Sequence, residues 1–310
     1  MGFGIKAWEP WVIEGQEAID VIKAAYAAGI NTFYTADIYS TGNSEILLGK
    51  ALKEIGEPRD SFVVMTKVFF PHEGPDKTHR RIYEQGLNPD QHGLVNRYGL
   101  SRKHIFTSIK ESLKRLDLEY VDVLQCHRFD LSTPIEETMK ALHDVVQAGL
   151  MMSLDYAINN NLTPFISMQN HQSLIYREEE REMNPTCKML VSTKSSRDEN
   201  DPWISMMKGK FEESSNEIIG RVEKVANDKG ISMAQVAVAW VLHQDVVAAP
   251  IVGVQKVDRL EDLIGTCIIF ILAHQCAYEL AILGAIDVKL TPEEMKYLEE
   301  PYIPRTIMGH

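Results

Sequence analysis

The chain has 310 residues, of which 45% are hydrophobic and 25% charged, so it can form one large α/β barrel or two smaller domains. Its net charge of -12 at pH 7 argues against nucleic acid or an anionic membrane as the main partner. The four cysteines form no Cys-x-x-Cys pair, which indicates neither a zinc ribbon nor a disulfide framework.

Strand-type and helical segments alternate over the first half of the chain. The N-terminal residues lack the apolar core of a signal peptide, so a cytoplasmic location is expected. A polar segment at 71–96 predicts a long loop. Helices are predicted over 17–28, from residue 44, from a cap at Ser101 to Leu116 and over 134–148, with strands over 32–36, 62–68 and 120–126.

Three polar side chains lie at or just beyond the ends of these predicted strands, namely Tyr39, Lys67 and His127. Parallel strands bring their C-terminal ends to the same end of a barrel, so a phenol, an ammonium and an imidazole are expected to meet there. The ammonium lowers the pKa of the phenol toward the range of a general acid. The imidazole can hydrogen-bond a carbonyl oxygen. Taken singly, each residue also fits a structural role at a strand end.

Two sequence segments around Tyr39 resemble the signature of the aldo-keto reductases. Residues 34–39 (Tyr-Thr-Ala-Asp-Ile-Tyr) and 42–49 (Gly-Asn-Ser-Glu-Ile-Leu-Leu-Gly) are similar to Asp-Thr-Ala-x-x-Tyr and Gly-x-Ser-Glu-x-x-Leu-Gly. The Thr66-Lys67 pair, the strand ending in His127 and the phrase Ser-Met-Gln-Asn at 167–170 also fit. A segment at 177–185, Arg-Glu-Glu-Glu-Arg-Glu-Met-Asn-Pro, resembles the fungal aryl-alcohol dehydrogenase-like group, some members of which act in secondary metabolism.

The resemblance implies a (β/α)8 TIM-type barrel and an enzyme that reduces an aldehyde or ketone to an alcohol with NADPH. In that reaction Tyr39 donates the proton, Lys67 lowers the pKa of Tyr39, and His127 orients the carbonyl. The expected partner is a small carbonyl or alcohol of the aryl-alcohol or secondary-metabolite type. No metal site is expected.

Tyr34 departs from the family pattern, which has an aspartate five residues before the tyrosine that pairs with the lysine. A phenol here either fills the space or hydrogen-bonds Lys67 without supplying charge. Loss of the carboxylate is expected to leave Lys67 less well positioned, so Tyr34→Asp should raise activity. Asp37 lies only two residues before Tyr39 and is expected to point elsewhere.

The second half of the chain is irregular. The family strands expected after Gly149 and after Lys188 are missing, and an apparent insert occupies 266–284. The insert is apolar but contains polar residues such as Glu279, which argues against a membrane span. It is either an extra surface or partner-facing helix, or the product of a mis-joined gene model. We therefore expect one domain, 1–310, with an incomplete barrel.

The cofactor is expected to bind in this second half. A strand, a glycine turn and a helix N-terminus over 250–259 predict an anion site, where Lys256 and Arg259 can grip a 2′-phosphate and favour NADP. A solvated helix start is the alternative. By resemblance, Gln169 contacts the nicotinamide amide, or is an ordinary polar strand end. The implied cofactor residues are Gln169, Gly253, Gln255, Lys256, Arg259 and Asp262.

Two further classes of function stay open. Tyr34, the gaps and the insert also fit a catalytically impaired relict, or a regulatory subunit that only binds cofactor. The other hypothesis is a structural interaction protein that docks through the insert. The sequence contains no Gly-x-Gly-x-x-Gly, Walker or His-Glu-x-x-His motif, so Rossmann, nucleotide-hydrolase and zinc-protease functions lack support.

Overall fold

The computed structural model describes residues 2–71, 88–151, 167–181, 191–192, 212–264 and 287–305. They fall into two compact units, Met1–Phe165 and Ile166–His310. The insert at 266–284 and most of the predicted 71–96 loop lie outside the described residues. None of the described helices is long and apolar enough to cross a membrane.

The first unit alternates short strands with helices, as the sequence predicts. Each bound predicted for a helix lies within two residues of the observed one, whereas the strands are shorter than predicted. Short 3₁₀ turns occupy Tyr39–Gly42, Arg59–Ser61 and Pro89–His92. The elements are β1 (Phe3–Gly4), β2 (Ile13–Glu14), α1 (Gly15–Ala27), β3 (Thr32–Tyr34), α2 (Asn43–Ile55), β4 (Val63–Val68), α3 (Arg102–Leu116), β5 (Val123–Cys126) and α4 (Ile135–Gln147).

A parallel sheet in the order β3-β4-β5 is the core of this unit, and β1 and β2 form a separate parallel pair. Tyr34 lies opposite Met65, and Lys67 lies opposite Gln125. Because the three strands run in one direction, their C-terminal ends share one edge. Met151 adds a single parallel bridge to Val121, beside β5, where the strand expected after Gly149 would begin.

The opposite edge of the sheet is held by an ion pair. Arg59 donates to Asp122 Oδ2 at 2.5 Å and to the Tyr120 carbonyl at 3.1 Å. Asp122 Oδ2 also accepts from the Val64 backbone N–H at 2.7 Å. These contacts fix β4 against the start of β5, so the N-terminal edge supports stability while the C-terminal edge carries the polar side chains.

The helices that cover the sheet approach each other closely. Gly49 of α2 faces the end of α3, and a Cβ at this position would overlap the Leu116 carbonyl oxygen. Leu47 and Leu48 of the same helix are buried, as are Ile105 and Ile109 of α3. The two helices can therefore pack at this distance only because residue 49 has no side chain.

The second unit is mainly helical. Its core surrounds Trp240, which is completely buried and donates from Nε1 to Glu299 Oε1 at 2.9 Å. The helices predicted over 216–228 and 233–243 are present. The elements are β6 (Ser167–Met168), β7 (Val191–Ser192), α5 (Glu212–Lys229), α6 (Met233–Leu242), α7 (Val257–Ile264) and α8 (Pro292–Glu299).

The strand β7 pairs in parallel with β6, in the segment after Lys188 where a family strand was expected to be missing. Across the described ranges the strands form three separate sheets and not a closed ring. The parallel strands and intervening helices have the order of an α/β barrel, with its closure incomplete over the described residues.

Replacing Gly49 with alanine is expected to destabilise the first unit by about 1–3 kcal/mol, because the new methyl group overlaps the Leu116 carbonyl. Urea unfolding followed by circular dichroism measures the change. Gly220→Ala is the matched control, since this helical glycine has no atom within 4 Å of its ideal Cβ. Alanine there should be neutral or stabilising. An equally stable Gly49→Ala protein would contradict the proposed close packing of α2 and α3.

Candidate active site

The structure brings Tyr39, Lys67 and His127 together at the C-terminal edge of the sheet. Tyr39 Oη accepts a hydrogen bond from Lys67 Nζ at 3.1 Å. The rings of Tyr39 and His127 meet edge to face, with centroids 5.7 Å apart and an interplanar angle of 86°. The parallel strands thus place the phenol, the ammonium and the imidazole in one cluster, as their strand-end positions predict.

Tyr39 opens a turn whose backbone conformation is unusual for its residues. Ser40 and Thr41 both have φ of 52°, in the left-handed region that favours glycine. Ser40 Oγ accepts from the Ile5 N–H at 2.9 Å, and its carbonyl accepts from Asn43 Nδ2 at 2.9 Å. These contacts hold the strained turn, and Tyr39 with it, against the N-terminal strand.

Lys67 is 4% exposed, so its charge depends on groups inside the protein. Nζ donates to the Thr35 carbonyl at 3.0 Å as well as to Tyr39 Oη. It also lies 4.0 Å from the centroid of the Tyr34 ring. Tyr34 therefore presents the face of its ring to the ammonium, an arrangement that the sequence does not suggest.

His127 follows β5 directly, and its backbone N–H donates to the Val68 carbonyl at 2.9 Å. Its imidazole contacts the Phe70 ring, with centroids 4.9 Å apart. Burial, followed by the positive charges of Lys67 and Arg128, holds the pKa of His127 well below its usual value. The imidazole is therefore neutral at physiological pH and can donate a hydrogen bond from one ring nitrogen.

A buried ion pair lies behind Lys67. Glu45 is fully buried; its Oε2 accepts from Arg115 Nε at 2.6 Å and its Oε1 accepts from Thr66 Oγ1 at 2.6 Å. Glu45 belongs to the signature phrase at 42–49, but its partner Arg115 is seventy residues away. The carboxylate ties α3 to the strand residue that precedes Lys67, so it stabilises the position of that lysine.

Asp37 points away from Tyr39, as expected, and accepts from Ser108 Oγ at 2.8 Å. Its side chain is fully buried. Burial, together with the negative charge of Glu45, raises the pKa of Asp37 from 3.8 to about 8. The carboxyl group is thus largely protonated at neutral pH, and it acts as a structural group of α3 and the Tyr39 turn.

Asp130 organises the loop that follows His127. Its carboxylate accepts from the Leu100 backbone N–H at 2.7 Å and from Thr133 Oγ1 and Ser132 Oγ, both at 2.6 Å. Although burial opposes ionisation, these hydrogen bonds lower its pKa to about 2. The site residues predicted from the sequence do not include Asp130, Glu45 or Thr35, although Glu45 and Thr35 lie in the two segments that resemble the family signature and Asp130 lies three residues after His127.

The predicted cofactor residues all lie in the second unit. Gln169 follows β6 and is half-buried, while Lys256 and Arg259 are exposed at the start of α7. Asp262 accepts on its backbone carbonyl from Gln235 Nε2 at 2.7 Å, which ties α7 to α6. Gly253 borders open space, and Gln255 lies in the turn before the helix. The strand predicted before this turn is wrong: 251–254 have no strand pairing.

These residues fit an anionic cofactor in their chemistry. Lys256 lies just before α7 and Arg259 lies in its first turn, so two cations stand at the N-terminus of a helix, which favours a phosphate group. Within the described ranges, no cluster of three or more His, Cys, Asp or Glu side chains could hold a metal ion.

The sequence model of the Aldo/keto reductase family matches residues 1–278. A versiconal hemiacetal acetate reductase of Aspergillus parasiticus is 38% identical over an alignment that covers 99% of this chain and 93% of the relative. The "Putative aryl-alcohol dehydrogenase C977.14c" of Schizosaccharomyces pombe is 37% identical over an alignment that covers 100% of this chain and 92% of the relative. The first alignment spans 341 positions, more than the 310 residues here, so some positions of the relative have no counterpart.

Among solved structures, the thermostable aldo-keto reductase Tm1743, in complex with the inhibitor epalrestat, superimposes with a TM-score of 0.64. The match covers 92% of this chain and 87% of that chain at 22% identity. At this level of identity the likeness concerns the fold alone, which is the α/β barrel that the strand order indicates.

Asp37→Asn is expected to stabilise the protein above pH 7. The folded-state pKa is raised, so the native state favours the protonated acid and stability falls as pH rises from about 4 to about 8. The asparagine amide is neutral at every pH, so the variant does not lose stability in this way. Melting temperatures between pH 5 and 9 should therefore fall less in the variant. Asp117→Asn, which changes an exposed carboxylate, is the control; equal pH slopes for Asp37→Asn and wild type would contradict the prediction.

Proposed function

Since this chain belongs to the aldo/keto reductase family, we propose that it reduces an aldehyde or ketone to the alcohol with NADPH as the hydride donor. The observation that carries the proposal is the 3.1 Å hydrogen bond between Lys67 Nζ and Tyr39 Oη, with the neutral His127 ring beside it. The cluster joins a proton donor to a group that stabilises its conjugate base.

Bound nicotinamide would supply the hydride to the carbonyl carbon. Tyr39 Oη donates its proton to the carbonyl oxygen, which yields the alcohol and leaves a phenolate. The Lys67 ammonium stabilises that phenolate through their hydrogen bond. His127, held neutral by burial, donates a hydrogen bond to the same carbonyl oxygen and orients it toward Tyr39.

An aromatic substrate of the aryl-alcohol type is part of the proposal. Phe70 contacts the His127 ring, and Phe69 contacts Phe70 with centroids 5.1 Å apart. Both phenylalanines are half-buried, so they offer aromatic surface against which a planar substrate ring can pack. NADPH is preferred over NADH in this proposal because Lys256 and Arg259 can both contact a 2′-phosphate.

The rival function is a relict or regulatory subunit that binds the cofactor without turnover. The sequence features that favour it are Tyr34 and the missing segments. The geometry of Tyr39, Lys67 and His127 favours the enzyme, because it retains the proton donor, the ammonium and the neutral imidazole that carbonyl reduction requires. Binding of NADPH with no reduction of any aromatic aldehyde would select the rival.

Arg259→Ala is expected to weaken NADPH binding about tenfold and to leave NADH binding nearly unchanged. One charge-assisted hydrogen bond to the 2′-phosphate is lost, and NADH has no such phosphate. Fluorescence titration of both cofactors gives the two dissociation constants. Lys296→Ala removes an exposed positive charge of the same unit and serves as the control. An equal loss for both cofactors would remove the argument for phosphate recognition.

Tyr39→Phe is expected to lower kcat by at least about a hundredfold while NADPH binding stays intact, because the substitution removes the proton donor and very little volume. The measurement is NADPH oxidation with an aromatic aldehyde, beside a cofactor titration. Tyr26→Phe, which deletes a hydroxyl on α1, is the matched control. Wild-type turnover in Tyr39→Phe would mean that another group is the acid.

A further inference from the structure

The side chain that replaces the family aspartate makes a specific contact with the catalytic lysine. Tyr34 pairs with Met65 across the parallel strands, so Lys67, two residues further along β4, lies on the same face of the sheet. The ammonium nitrogen is 4.0 Å from the centroid of the Tyr34 ring. This separation is well within the range of a cation–π interaction.

We propose that Tyr34 is a positioning residue that holds the Lys67 ammonium against Tyr39 through the face of its ring. Nζ contacts the Thr35 carbonyl at 3.0 Å, Tyr39 Oη at 3.1 Å and the Tyr34 ring at 4.0 Å. Without the ring, the ammonium loses the last of these contacts and can move away from the phenol.

The environment of the lysine strengthens this contact. Lys67 is 4% exposed, and a cation that is shielded from water interacts more strongly with a ring face than an exposed one. The Tyr34 ring is itself held edge-on to the Tyr39 ring, with centroids 6.2 Å apart and planes at 87°. Its orientation toward Nζ is therefore set by the same cluster that it stabilises.

The ring also differs from an aspartate in what it does to the charge. A carboxylate would hold the ammonium and also favour its charged form, whereas a neutral ring holds it without supplying charge. The ring therefore performs the positioning part of the aspartate's role, which keeps Lys67 Nζ beside the Tyr39 phenolate that forms during the reaction, and Tyr34→Asp is still expected to raise activity. This part of the inference rests on the proposed function.

A fluorinated series at position 34 tests the inference in the enzyme. Phenylalanine, 4-fluoro-, 3,5-difluoro- and 3,4,5-trifluorophenylalanine have nearly the same volume, but fluorine progressively removes negative charge from the ring face. We expect kcat to fall stepwise from the phenylalanine parent to the trifluoro variant, by about tenfold in all, at unchanged affinity for NADPH. A purely structural ring would give a flat series, and that result would overturn the inference.

Lysine NMR provides a readout that does not need turnover. In protein labelled with [¹³Cε]lysine, the Lys67 signal, assigned with Lys67→Met, should carry an upfield ring-current shift to which the Tyr34 and Tyr39 rings both contribute, since their centroids lie 4.0 and 4.8 Å from Nζ. Tyr34→Phe should keep this shift, and Tyr34→Leu should lose the part that comes from the ring at position 34. The signal of exposed Lys53 is the control. An unchanged Lys67 shift in Tyr34→Leu would overturn the inference. If Tyr34→Leu does not fold, the phenylalanine and trifluorophenylalanine proteins, which both keep the ring, test the inference. A lower kcat and a lower pKa of Lys67 in the trifluoro protein would support the inference, and equal values would overturn it.

The two proposals fail separately. A wild-type protein that reduces no aromatic aldehyde, yet shows the ring-dependent Lys67 shift, would refute the proposed function and support the role of Tyr34. A protein that turns over normally but shows a flat fluorine series and the same Lys67 shift in Tyr34→Leu as in wild type would refute the role of Tyr34 alone.

Discussion

The buried ammonium of Lys67 is the constraint on which the rest of the first unit depends. A lysine that is 4% exposed has lost most of its hydration, and it stays charged only if protein groups replace that water. Here a backbone carbonyl, a phenol oxygen and an aromatic ring face do so. A desolvated cation–π contact contributes about 2 kcal/mol, which is comparable with one charge-assisted hydrogen bond.

The surrounding structure holds these groups in place. Glu45 joins Arg115 of α3 to Thr66, the residue before Lys67, while Gly49 allows α2 to lie against α3. On the other side of the cluster, Asp130 fixes the loop after His127 through four hydrogen bonds of its carboxylate. The positions of Lys67 and of the loop after His127 are thus each stabilised by a carboxylate that lies outside the Tyr39, Lys67 and His127 cluster.

The same features bear on the choice between an enzyme and a relict. Family membership and the strand-end cluster support carbonyl reduction, whereas Tyr34 and the expected gaps are departures from the family pattern. The structure gives Tyr34 a contact with Lys67 that compensates for part of what the aspartate does. This departure therefore weighs less against catalysis than the sequence by itself suggests.

The sequence by itself predicted helices α1–α6, strands β3–β5 and the three residues that meet beyond the ends of those strands, because periodicity and strand direction are local properties. It also determined the family, through the phrases around Tyr39. Only the tertiary structure decided that the Tyr34 ring faces Lys67, that Glu45 pairs with Arg115, and that 251–254 form no strand. Those facts depend on strand register and on how closely helices pack, and residues far apart in the chain settle both.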